Sequence, residues 1–286
     1  LFGALSLLLG AFPTDIRRQN TAVMVGAGAV SLGCAAMLGS SWSLSATAWG
    51  VACGLMWTGG QVFVLWAFRA WGVSRTMPLT TALQLLLNAT LGVSLFGEWR
   101  APGALILGVV ALSLIMLGAA ACSWQERTGP GPTAAQRRDG LLATAASAVL
   151  YGSYPSLLRA VEVPPAHAVG PMGLGLLAGA GLCALILPRR ARLRGPRIVP
   201  AALAGGLWAV GNALMLRSTA AVGVASGFTL SQLGFVLATI GGLTILGEER
   251  TGRARTAVAA GVAAAVVGLV LMGLATGMDT GASPSQ

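Results

Sequence analysis

The residues best placed to do chemistry are uncharged amides, hydroxyls and indoles set inside long apolar runs. Trp57 and Gln61 stand four residues apart, and so do Trp208 and Asn212; Trp66 follows the first pair. Thr80, Thr81, Gln84 and Asn88 share one run, and Thr229, Ser231 and Gln232 share another. An amide in hydrocarbon is costly without a partner, so such residues face a bundle interior or a wet cavity. Amides donate and accept at once, which suits a solute rich in hydroxyls. An indole face can cover the C–H side of a sugar ring and still offer one N–H. A spacing of four puts each Trp and its amide on one helical face. Hydrogen bonding between helices accounts for any single one of these residues equally well. The recurrence of a Trp/amide pair in two places favours binding.

The chain carries no GxSxG, HExxH or phosphate-binding loop, and no paired carboxylates inside an apolar run. It reads as a non-enzyme without a cofactor, and with no nucleotide site its work must be driven by a gradient. Cys34, Cys53, Cys122 and Cys183 lie in or beside apolar runs with no CxxC spacing, and His167 stands alone in a loop, so no metal site is expected. All eight acidic residues, Glu98 and Glu248 among them, fall at or beyond the ends of the runs.

Those runs dominate the composition. Of 286 residues, 55% are hydrophobic and only 9% charged, against roughly 25% charged in a soluble domain. This excludes an ordinary soluble globule, and the apolar content excludes disorder. An all-α polytopic membrane protein remains. Ten spans are expected, at 1–16, 21–39, 47–69, 73–96, 101–123, 138–159, 166–188, 197–217, 221–247 and 253–275. The first is short, and the chain starts at Leu1 without Met, so a few N-terminal residues are expected to be missing. The polar stretch 124–139 reads as a linker, and 276–286 as a disordered tail. The net charge of +10 comes from eighteen Arg and no Lys. Because the Arg sit between spans, they point to membrane orientation and not to nucleic acid.

The chain also repeats itself. Gly10-Ala-Phe-Pro13, with Arg17 four residues on, resembles Gly152-Ser-Tyr-Pro155 followed by Arg159. Trp57 to Gln61 matches Trp208 to Asn212, Gly72-Val73 matches Gly223-Val224, and Gly97-Glu98 matches Gly247-Glu248. The order is the same in both halves, so 1–123 and 140–275 read as two five-span repeats. An odd number of spans forces the second half to insert inverted relative to the first, the plan of many secondary carriers. Fifteen of the eighteen Arg fall in the loops after odd-numbered spans. Those loops should be cytoplasmic and both termini outside. Pro13 and Pro155 can kink their spans. Glu98 and Glu248 are expected either to pair with Arg at the interface or to serve gating and proton coupling.

Three segments carry a family resemblance: Trp57-Thr-Gly-Gly-Gln61, Gly72-Val-Ser-Arg-Thr-Met-Pro-Leu-Thr-Thr-Ala-Leu-Gln-Leu85, and Gly92-Val-Ser-Leu-Phe-Gly-Glu-Trp99. With Gly227-Phe-Thr-Leu-Ser-Gln232 and Gly241-Gly-Leu-Thr-Ile-Leu-Gly-Glu248, they resemble the bacterial glucose-uptake proteins of the glucose/ribose porter family, within the drug/metabolite transporter superfamily. The resemblance covers spans 3–5 and 8–10 well and the others weakly. It implies a ten-helix carrier in the bacterial cell membrane that imports a glucose-like monosaccharide, with protons as the coupling ion. Export of a metabolite or drug, as elsewhere in the superfamily, and a non-transporting sensor or scaffold are the alternatives. Neither the sugar nor the oligomeric state follows from the sequence.

Overall fold

A backbone inside hydrocarbon must satisfy its own polar groups, and helices do this within one segment. The computed structural model has helices joined by turns and no strands among the residues it describes, which are 2, 8, 12, 15–37, 39, 41–71, 73–124, 133–186, 195, 197–232, 234 and 252–281. In chain order the helices are α1 (Ile16–Met37), α2 (Leu44–Trp71), α3 (Val73–Phe96), α4 (Ala104–Ser123), α5 (Ala134–Ala160), α6 (Pro165–Ile186), α7 (Ile198–Val222), α8 (Val224–Ser231) and α9 (Gly252–Gly281). All but α8 are long and apolar enough to cross a membrane. The protein is therefore a multi-pass helical membrane protein. Most of the expected first span, about half of the ninth, Pro13 and Glu248 lie outside the described residues.

Several boundaries differ from expectation: α1 starts before 21 and α7 runs past 217, and two further differences have a visible cause. The linker expected over 124–139 gives way to α5 at Ala134, because Thr133 and Gln136 form a capping box. The Thr133 side chain accepts from the Gln136 N–H, and the Gln136 side chain accepts from the Thr133 N–H at 2.9 Å. The polar tail expected from Thr276 is helical to Gly281. There Thr276 directs its hydroxyl toward the Met272 carbonyl (2.9 Å) and the Ser226 hydroxyl (2.8 Å), so its polarity is absorbed by packing.

The helices approach closely because small residues line their contacts. α1 packs on α6 and α7, α2 on α5 and α6, α3 on α5 and α8, and α4 on α9. A Cβ added to Gly26 of α1 would lie 1.9 Å from the Ala202 carbonyl oxygen of α7. One added to Gly205 of α7 would lie 2.0 Å from the Val23 carbonyl oxygen of α1. Gly54 of α2 and Gly175 of α6 make the matching close crossing. With these seams shut, the bulky side chains gather at the centre, among them Trp57, Trp208, Tyr154 and Met172.

Candidate functional site

The centre of the bundle is built from α2, α5 and α7. α2 supplies Trp57 and, one turn on, Gln61; α7 supplies Trp208 and Asn212 in the same relation. The two indoles meet with ring centroids 4.1 Å apart and planes tilted by 38°. Tyr151 of α5 also packs on Trp57, at 5.5 Å between ring centroids.

Each amide is held by a tyrosine of α5. The Tyr151 hydroxyl donates to Gln61 Oε1. The Tyr154 hydroxyl donates to Asn212 Oδ1 at 2.6 Å, while Asn212 Nδ2 contacts Met172 Sδ at 3.3 Å. One helix thus grips an amide from each half of the sequence. Asn212 is only 1% exposed, so the tyrosine does what water cannot. Gln61 is half-buried. Pro155 lies inside α5 directly beside Tyr154. A proline there cannot donate to the Tyr151 carbonyl one turn back, so the helix is weakened at the segment that holds both amides.

The other expected residues fall into two groups. Gln84 and Asn88 are buried on α3 against α5. Asn88 Nδ2 donates to the Gln84 carbonyl at 2.9 Å and its Oδ1 accepts from Ser156 at 3.3 Å. Thr80, one turn below Gln84, is buried with its hydroxyl unpartnered, and Thr81 is half-buried. The two expected hydroxyls of α8 are spent on their own helix: Thr229 on the Ala225 carbonyl and Ser231 on that of Phe228. That is how isolated Ser and Thr satisfy themselves in a helix. Gln232 follows as the C-cap of α8. The structure therefore brings Trp57, Gln61, Trp208 and Asn212 together, and leaves Thr229 and Ser231 in local bonds.

Glu98 has a definite place. It follows α3 in a turn where Gly97 and Trp99 both have positive φ. This turn aims the carboxylate at the start of α8. Oε1 accepts the Val224 N–H at 2.6 Å and Oε2 the Ala225 N–H at 2.8 Å. A carboxylate at a helix N-terminus satisfies donors that have no intrahelical partner. The Arg159 guanidinium of α5 pairs with the same carboxylate and lies 4.4 Å over the Phe96 ring. The expected pairing with an arginine is present, and its partner comes from the other half of the sequence. Gly223 is needed here: its φ is 90°, and an added Cβ would sit 2.5 Å from the Glu98 carboxyl.

Sequence reasoning missed Tyr151 and Tyr154. A signal existed, since the chain has only two tyrosines and both fall within four residues of one apolar span. A buried tyrosine hydroxyl usually finds a partner.

Comparison with known proteins agrees with this architecture. A family model described as "Sugar transport protein" matches residues 1–275. The Listeria innocua protein lin0215, whose name assigns it provisionally to sugar uptake, is 32% identical over 97% of this chain and 96% of its own length. The Bacillus subtilis glucose uptake protein GlcU is 34% identical over 79% of this chain and 78% of its own. A crystal structure described only as "Crystal structure of protein" shares the fold, with a TM-score of 0.71 at 21% identity, over 96% of this chain and 94% of that one. The match along the whole helical region, with relatives above 30% identity over nearly their full length, makes this chain a member of the sugar transport protein family.

Proposed function

We propose that this protein is a secondary carrier that imports a glucose-like monosaccharide across the cell membrane, coupled to protons, by alternating access between two inverted five-helix halves. The halves are 1–123 and 140–275, joined through 124–139. The Arg-rich loops lie in the cytoplasm and the termini outside, as the positive-inside bias favours.

The observation that carries this reading is the contact between Trp57 and Trp208. These residues hold equivalent places in the sequence repeat. Equivalent residues of two related halves meet only near the axis relating them, which is where carriers of this plan bind solute. Helix packing supports the same relation. α1 with α6 and α4 with α9 are contacts between equivalent spans, and α2 on α6 mirrors α7 on α1. The repeated amides beside the indoles supply donors and acceptors for sugar hydroxyls. Here the indoles lie against one another, so a sugar ring must enter by parting them. Thr80, Thr81, Gln84 and Asn88 on α3, with Thr229, Ser231 and Gln232 on α8, would join as further polar contacts only once the helices move, since here Thr229 and Ser231 bond their own helix. Pro155 supplies a hinge in α5, while Glu98 holds the start of α8, a helix end that must move.

The test is uptake by proteoliposomes of a panel of labelled monosaccharides, with and without an imposed inward proton gradient. Glucose or a close epimer should accumulate above the external level, and a protonophore should abolish the accumulation. Sodium-dependent uptake that survives the protonophore would remove proton coupling. No uptake of any monosaccharide would remove the carrier reading itself.

A further inference from the structure

One turn beyond the central pair, toward the end of the bundle where Glu98 lies, a cavity of about 220 Å³ opens between α5 and α7. Pro155, Leu158, Leu216 and Thr219 line its walls, and Arg159 and Glu162 supply its charges. On α5 its first lining residue directly follows Tyr154. On α7 Leu216 stands one turn after Asn212. The cavity therefore lies within about one helical turn of the Tyr154–Asn212 pair, which is buried behind its wall.

Two features mark it as more than a packing gap. Arg159 is already fixed by the Glu98 carboxylate and the Phe96 ring. A guanidinium has five donors, and one held in place this way can offer the rest at little entropic cost. Glu162 sits in the left-handed region, with φ 54°. It closes α5 in a Schellman motif: its own N–H bonds the Arg159 carbonyl at 3.1 Å, and the Val163 N–H bonds that of Leu158 at 3.0 Å. Glycine is the usual residue at that position, because a Cβ there is strained. The chain instead carries an exposed carboxylate on the lip of the cavity.

We propose that this cavity is an entry subsite for a neutral polyhydroxylated solute, with Arg159 donating to its hydroxyls and Glu162 accepting from them. The inference rests on the carrier reading above and adds a second binding step to it. Neutrality follows from the charges. Glu98 offsets Arg159, so no surplus positive charge is left for an anion, and Glu162, exposed to water at the lip, has no second acid among the lining residues with which to hold a cation. A hydroxyl donates and accepts at once and so satisfies both groups. Pro155, Leu158 and Leu216 offer apolar surface to ring C–H groups. The volume falls below the ~300–1,000 Å³ of pockets for drug-sized ligands, which limits the occupant to one small ring.

The experiment is an equilibrium binding isotherm of labelled glucose on the purified full chain in nanodiscs. Two classes of site are expected. Glu162→Gly relieves the left-handed strain, so it should raise the melting temperature. It should also weaken one class by about tenfold or more and leave the other unchanged. A residue serving only the turn would move stability without moving binding. Thr219→Trp fills the cavity and should remove the same class, independently of any effect of Glu162→Gly on folding. Binding in a single class that Trp208→Ala abolishes and Thr219→Trp leaves intact would overturn the subsite alone. No monosaccharide binding in the wild type would overturn the subsite and the carrier reading together.

Discussion

Replacing Glu98 with Gln removes one charge and one acceptor from a buried junction and leaves its shape. In the native arrangement the two carboxylate oxygens accept separate backbone N–H groups, from Val224 at 2.6 Å and Ala225 at 2.8 Å. Gln has a single oxygen, so its NH2 group must face one of those donors. Hydrogen bonds to a charged group contribute roughly 1.5–3 kcal/mol each, and an anion at a helix N-terminus adds about 0.3–1 kcal/mol. The Arg159 side chain is 34% exposed, so water screens much of its lost attraction. Glu98→Gln should therefore destabilise the protein by about 2–4 kcal/mol. This lies near the lower end of the ~3–5 kcal/mol seen when one partner of a fully buried pair is removed. Reversible denaturant titration in mixed micelles measures it. Arg159→Gln should cost about 1 kcal/mol or less, and the double mutant should fall short of the sum. A Glu98→Gln variant within about 0.5 kcal/mol of wild type would refute the junction as described.

Tyr154→Phe should cost about 1–3 kcal/mol, because Asn212 Oδ1 is left buried without a donor; Tyr151→Phe should cost less, since Gln61 is half-buried, and thermal melts of the two variants compare them. Gly205→Ala should destabilise by about 1–3 kcal/mol through overpacking against the Val23 carbonyl, although alanine is the better helix former by about 1 kcal/mol; a gain in denaturant midpoint would show that α1 and α7 do not cross there. A reporter active only in the cytoplasm should work when fused within 189–197 and fail when fused at Gln286. The opposite pattern at both sites would invert the orientation.

Much of the architecture was legible because bilayers leave few choices. Apolar runs of the right length can only be helices, and eight long helices fall close to eight of the expected spans. Misplaced boundaries arose where polar residues were read as loops, as at 133 and 276. The capping box of Thr133 and the buried hydroxyl of Thr276 satisfy that polarity inside helices. At the site, Trp57, Gln61, Trp208 and Asn212 stood out because both halves carry them. The tyrosines did not, since the counterpart of Tyr154 in the first half is Phe12, which has the ring but no hydroxyl. Comparing the halves therefore hid the partner of Asn212. Glu98 was expected either to meet an arginine or to serve gating and proton coupling, but its choice of Arg159 and its place at the start of α8 depend on tertiary approach, which spacing along the chain does not encode. Gly223 was visible as half of a repeated Gly-Val pair, yet its role appears only once the Glu98 carboxyl lies 2.5 Å from where its Cβ would be.

The central claim is that a monosaccharide binds where Trp57 and Trp208 meet. The most direct test is equilibrium binding of labelled glucose to the purified protein and to three variants: Trp57→Ala, Trp208→Ala and Trp66→Ala. Trp66 lies on the same helix as Trp57, but it is 54% exposed and packs on Phe63, so it controls for the loss of an indole as such. Removing either central indole should weaken binding at the central site by tenfold or more, on the order of 1.4 kcal/mol per decade, while Trp66→Ala binds as the wild type does. Glucose binding that survives both Trp57→Ala and Trp208→Ala unchanged would contradict the account.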